Sequence, residues 1–132
     1  MTELDPFIQA AFDGLDAALA GAPNAVEAKL DPNIVFIGSG EGEEAVGHDA
    51  LRAMLQWLSE KASGGTFEID WESAAHEVIG DIAVIHAFGT VRAAGSMARF
   101  DGTRYRMTGT LRRRDGAWRW VAYHGSEPGA WE

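Results

Sequence analysis

The side chains with chemistry to offer in this sequence are four histidines, two tyrosines and a run of alternating carboxylates. His48, His76, His86 and His124 are scattered, with no His-x-His or His-x3-His spacing, and the chain has no cysteine. A tetrahedral zinc shell, a disulfide and a thiolate nucleophile are therefore not expected, and neither metal nor cofactor is called for. His124 and Ser126 stand two apart and would share one face of a strand, but no Gly-x-Ser-x-Gly elbow or orienting carboxylate accompanies them. His124 is expected instead to satisfy backbone groups at a sheet edge. Tyr105 and Tyr123 could polarise a carbonyl by donating to a developing oxyanion, which leaves an acid or base to be supplied. Asp70 and Glu72 are the nearest candidates. They alternate with Phe67, Ile69 and Trp71, and whether they face inward, where burial would raise a carboxyl pKa, or are solvated strand residues stays open. The segment Gly38-Ser39-Gly40-Glu41-Gly42-Glu43-Glu44 has the glycines of a phosphate loop but also three carboxylates. It reads as a flexible loop.

The elements that must position these groups follow from periodicity and punctuation. Leu4, Ile8, Ala11, Phe12, Leu15 and Leu19 make one apolar stripe at helical spacing, with Asp5-Pro6 as cap and first residue and Gly21 and Pro23 as the stop. Residues 24 to 30 suit a short second helix, and Ile34 to Ile37 a brief strand. Leu51, Met54, Leu55 and Leu58 recur at i, i+3, i+4 and i+7, which predicts a helix over 49 to 62. From Thr66 onward the period changes to two. Gly80-Asp81 and Asp115-Gly116 mark hairpins, Ala94-Gly95-Ser96 a further turn, and Asp101-Gly102 a turn or bulge before a strand through Tyr105 to Arg113. The last strand runs from Trp118 to Gly125. Helices first and a meander of strands afterwards predict a segregated α+β fold.

With 132 residues and 46% hydrophobic content, the chain suits one domain spanning residues 1 to 132. Its net charge of -9 argues against phosphate backbones as partners. The charge is uneven: residues 1 to 91 carry three basic and sixteen acidic side chains, whereas residues 92 to 119 carry eight arginines against two acids. A basic ribbon for RNA is one reading of that segment, and arginines paired internally or solvated along strands the other. The acidic N-terminus and the lack of any apolar run of about 20 residues predict a cytoplasmic protein without a membrane partner.

The C-terminal pattern Arg113-Arg114-Asp115-Gly116-Ala117-Trp118-Arg119-Trp120-Val121-Ala122-Tyr123-His124-Gly125-Ser126-Glu127-Pro128 closely resembles the closing hairpin of SnoaL-like domains in the nuclear-transport-factor-2-like (NTF2-like) superfamily. It is particularly similar to the association domain of calcium/calmodulin-dependent protein kinase II. Ile37-Gly38 with Glu43 or Glu44, Gly47 ahead of the second long helix, and Gly80-Asp81 extend the match over roughly residues 5 to 128. The resemblance implies a curved antiparallel sheet wrapped on helices as a cone, an enclosed pocket and usually a homodimer. The superfamily holds dehydratases, isomerases, cyclases, carriers and assembly modules, so the fold selects no function.

If Gly89, Gly109 and Gly125 face the pocket, as the resemblance suggests, strand alternation sends Ile85, Ala87, Val91, Tyr105, Met107, Leu111, Val121 and Tyr123 inward with them. Phe36 and Trp57 join Tyr105, Met107 and Tyr123 as expected ligand lining, with Tyr105, Tyr123, Asp70 and Glu72 the catalytic candidates. Trp118, Trp120, Phe88, Thr108 and Thr110 then fall on the outer face beside His86 and His124, an apolar patch suited to a twofold homodimer centred on Trp120. The glycines also stand where the kinase association domain carries pocket arginines. That implies a deeper, less basic cavity preferring neutral ligands, unless Arg99 or Arg106 swings in. Two classes of function remain: a small-molecule-binding domain with possible lyase, isomerase or cyclase activity on a compact, mostly apolar substrate, and a non-enzymatic association or carrier module.

Overall fold

Asp5 accepts the Phe7 N–H through its side chain at 2.8 Å, and Pro6 fills the first helical position, so helix α1 (Pro6–Leu19) starts where its own residues cap it. The computed structural model describes residues 4–129. Ile8, Phe12, Leu15 and Ala18 form the buried face of α1. Asn24, in the left-handed conformation, turns the chain into α2 (Ala25–Lys29), which runs directly into β1 (Leu30–Ile37). The glycine-rich loop joins β1 to a three-residue strand, β2 (Glu44–Val46), and α3 (His48–Lys61) follows with Leu51 and Met54 buried. The rest is strand: β3 (Gly65–Ile79), β4 (Ile82–Gly95), a single 3-10 turn at Ala98–Phe100, β5 (Arg104–Arg114) and β6 (Ala117–Ser126). No helix among the described residues is long and apolar enough to cross a membrane.

The fold is α+β, with six strands in the order β2-β1-β6-β5-β4-β3. The sheet is mixed rather than wholly antiparallel, because β1 pairs parallel to β6 while every other neighbour is antiparallel. The helices carry their apolar faces onto one side of the sheet, where Ile85, Ala87, Val91, Met107 and Leu111 point.

Two irregularities decide which side chains reach that core. In β3 the pairing passes from Trp71–Gly89 to Ser73–Phe88, leaving Glu72 as an extra residue. In β6 it passes from Thr110–Ala122 to Leu111–Trp120, leaving Val121 as the extra one. Each bulge reverses the facing of everything beyond it. The expectation that Trp118 and Trp120 face outward is corrected accordingly. Trp120 is 1% exposed, donates its Nε1–H to the Ala11 carbonyl at 3.1 Å and stacks on Phe12. Trp118 is half-buried, edge-on to Phe7 at 5.3 Å. Val121, expected inward, is the bulged residue. Phe88 and Thr108 do lie exposed on the outer face, beside Val35 and Ile37, with Thr110 half-buried.

Candidate functional site

Tyr105 on β5 and Tyr123 on β6 come together inside the cone with their hydroxyls 2.8 Å apart, and both are about 5% exposed. Tyr123 is held by Phe36 of β1, stacked face to face at 4.5 Å, and by Trp120 at 6.2 Å. Trp71 meets Tyr105 edge-on at 5.8 Å and stacks on Phe12 at 4.9 Å. Met107 is buried beside them, in register with Gly125 and Ala87. Four of the five expected lining residues therefore share one buried cluster. The fifth, Trp57, packs over Gly42 in the glycine-rich loop, with Lys61 Nζ 4.3 Å from its ring.

Glycine at 109 and 125 has a different consequence from the one expected. A Cβ at Gly125 would collide with the Tyr105 hydroxyl, and one at Gly109 with the Trp120 ring. The missing side chains do not deepen a cavity, because aromatic rings of the same chain fill their space. Arg99 and Arg106 do not compensate either: Arg99 donates to the Ser96 carbonyl and lies over Phe100, and Arg106 is exposed.

Asp70 and Glu72 stand apart from the tyrosines. Asp70 pairs with Arg92 at 3.2 Å, and Glu72 takes Arg104 at 2.9 Å together with the Thr90 hydroxyl, both at the exposed surface. The histidine that reaches a backbone carbonyl is His48, whose Nε2 is 3.0 Å from Leu30 O, while His124 is exposed on the outer face. His76 stacks on Phe7. Among the described residues, no group of three or more potential metal-binding side chains comes together.

The carboxylates electrostatically coupled to the tyrosines are Glu43, Glu127 and Asp16, none of which was among the catalytic candidates. Glu43 folds back over Gly38 and Gly40, where any side chain at either glycine would strike it. Burial pushes its pKa up, the Gly40 backbone hydrogen bond opposes this, and the charge of Glu127 adds to the rise. Asp16, on the exposed side of α1, is raised by the protein surface against which it lies and by the charges of Asp13 and Glu68. Burial also raises both tyrosines. For Tyr105 the hydrogen bond shared with Tyr123 works against that rise, while the charges of Glu43 and Glu127 add to it. Tyr123 is pushed further up by Tyr105 and then by Asp16 and Glu43. Both phenols stay neutral. Because one hydroxyl donates to the other, a single O–H remains uncommitted and can donate to a bound carbonyl. The signal for Glu43 was the alternation of glycines at 38, 40 and 42, which leaves a hollow that a carboxylate can enter.

The profile of the SnoaL-like domain family matches residues 8–130. The chain belongs to the SnoaL-like domain family. Solved structures agree on the fold of this SnoaL-like domain. An NTF2-like protein of unknown function from Pseudomonas putida KT2440 superposes with a TM-score of 0.75 at 18% identity, covering 96% of this chain and 87% of that one. A candidate dehydratase of the NTF2-like family from Streptomyces avermitilis gives 0.70 at 15%, covering 93% and 94%. The CaMKII hub of S. rosetta gives 0.67 at 18%, covering 96% and 100%. A comparison with curated proteins finds no match.

Proposed function

We propose that this SnoaL-like domain binds a compact, neutral, mostly apolar carbonyl compound in its cone and moves a proton on it, as a lyase, isomerase or cyclase does. The observation that carries this reading is the buried pair of neutral phenols at 2.8 Å with one proton to spare. In this scheme Tyr105 and Tyr123 stabilise the oxyanion, and Glu43, with its raised pKa, accepts and returns the proton. The ligand displaces the ring of Tyr105, or lifts the loop 38–43 and Trp57, to reach the phenols. Glu43 and Asp16 make the cone unfavourable for anions. The dehydratase name of the Streptomyces avermitilis neighbour fits such chemistry.

The test pairs binding with chemistry. In a thermal-shift screen, a neutral cyclic ketone at 100 times its dissociation constant should stabilise by about 2.7 kcal/mol, with the effect reduced by Tyr123→Phe. Deuterium exchange α to the carbonyl of the bound ketone, followed by NMR, should slow by about 100-fold or more in Glu43→Gln. Stabilisation by short-chain carboxylates but not by neutral ketones, sensitive to Tyr123→Phe, would show that the cone is an anion site.

A second reading has its own observation. Val35, Ile37 and Phe88 are 38%, 37% and 46% exposed on the outer sheet face, and Val35 and Ile37 line a shallow cavity of about 220 Å³ together with Thr108 and Thr110. This is the surface through which a homodimer would form, and a neighbour named as a hub shares the fold. An association module would sediment as a dimer or larger, dissociate in Phe88→Asp and show no exchange with any ketone.

A further inference from the structure

Eight arginines lie between residues 92 and 119, and four of them are matched by carboxylates: Arg92 by Asp70, Arg104 by Glu72, Arg112 by Asp31 and Arg113 by Asp81. Arg114 and Arg119 form no ion pair among the described residues. They do not lie apart from the matched set. Arg112 and Arg114 are two apart on β5, and Arg119 sits directly opposite Arg112 in the β5–β6 ladder. All three line a cavity of about 200 Å³ with Asp31, Pro32 and Glu27.

The acids of this cavity are already engaged. Asp31 takes Arg112 Nη2 at 2.7 Å on one oxygen and the Asn33 N–H at 2.9 Å on the other, and Glu27 is paired with Arg52. Arg112 Nε is buried without a hydrogen-bond partner among the described residues. Like charges placed directly opposite across a sheet repel, and planar guanidinium forks converging on one hollow suit an oxyanion. The hollow is smaller than a pocket for a drug-sized ligand, roughly 300 Å³ and above. It has room for a small anionic group.

We propose that Arg112, Arg114 and Arg119 form a phosphate-binding pocket outside the cone, which takes free phosphate or the terminal group of a small phosphate monoester. The anion bridges the Arg112–Arg119 repulsion and gives Arg114 and Arg119 a partner that no described residue provides. The site shares no residue with the cone, so its fate is independent of the reading above.

Calorimetric titration and thermal melts with inorganic phosphate test it, at fixed ionic strength against chloride. Wild type should bind phosphate and melt higher in it. Arg119→Gln and Arg114→Gln should each weaken binding at least tenfold, whereas the remote Arg99→Gln should bind as wild type does. In chloride alone Arg119→Gln should melt at or above wild type, because the repulsion is relieved while most of the side-chain stem is kept. Titration with phenyl phosphate separates the two sources: tighter binding than inorganic phosphate assigns a monoester, and weaker binding assigns the free ion. Equal phosphate shifts in wild type, Arg119→Gln and Arg114→Gln would overturn the proposal. So would an oligonucleotide binding more tightly than either phosphate and losing affinity in Arg119→Gln.

Discussion

Asp31 lies just inside the start of β1 and Glu43 beyond its end, and their surroundings drive them in opposite directions. Burial alone would raise both. At Asp31 it is outweighed by the Asn33 N–H, the Arg112 hydrogen bond and the charges of Arg112 and Arg114, so the carboxyl is held below the usual range. At Glu43 one backbone hydrogen bond is all that opposes burial, and a second carboxylate, Glu127, pushes the same way. Depth therefore does not by itself set the direction in which a carboxyl pKa moves. The number of donors aimed at it does.

The largest way to probe the contrast is to empty the aromatic side of it. Trp120→Ala should cost about 3–5 kcal/mol of folding free energy by urea titration, since it removes a fully buried indole and its hydrogen bond to the Ala11 carbonyl. A variant that kept wild-type stability and lost only self-association would return Trp120 to the outer face. At the arginine end, Asp31→Asn should cost about 2 kcal/mol at pH 7, discounted because Arg112 is partly solvated. The lowered pKa means that the charged carboxylate contributes stability above its unfolded pKa of 3.8 and loses it as pH falls through the folded value. The deficit of the variant should therefore shrink on acidification. Tyr123→Phe should cost about 1 kcal/mol by leaving the Tyr105 hydroxyl without its partner, and an unchanged melting temperature would mean that the hydroxyl finds another. Glu43→Gln should have the smallest effect and the opposite sign. A raised pKa favours the protonated fold, so that contribution is present below the unfolded value of 4.5 and is lost as pH rises through the folded one. The variant should gain on the order of 0.5 kcal/mol at pH 7, allowing for solvent screening, and nothing at pH 4.

What could be read from residues alone was local. Asp5-Pro6 capped α1, the Leu51–Leu58 spacing marked α3, and Gly80-Asp81 and Asp115-Gly116 turned the hairpins where expected. The buried tyrosines also followed from strand alternation, since no bulge intervenes between Tyr123 and Gly125 or between Tyr105 and Gly109. The bulges at Glu72 and Val121 have neither glycine nor proline to announce them, and each moves one more residue onto a strand than its partner opposes. The facing of Trp118 and Trp120 was lost there. The parallel β1–β6 pair depends on residues far apart in the chain, and β2, with three residues, is too short to show a period. The burial of Glu43 depends on a loop folding back on itself, which hydrophobic patterning does not encode.

The indole of Trp120 and the carbonyl of Ala11 that it bonds are 109 residues apart. At a synthesis rate of about 5–20 residues per second, α1 leaves the ribosome roughly 5–20 s before its partner on β6 exists. Through that interval Phe12 can meet Trp71 of β3 but lacks the indole on its other side. The sheet itself closes only when the last strand arrives, because β6 lies between β1 and β5, and until then α1 is covered in part.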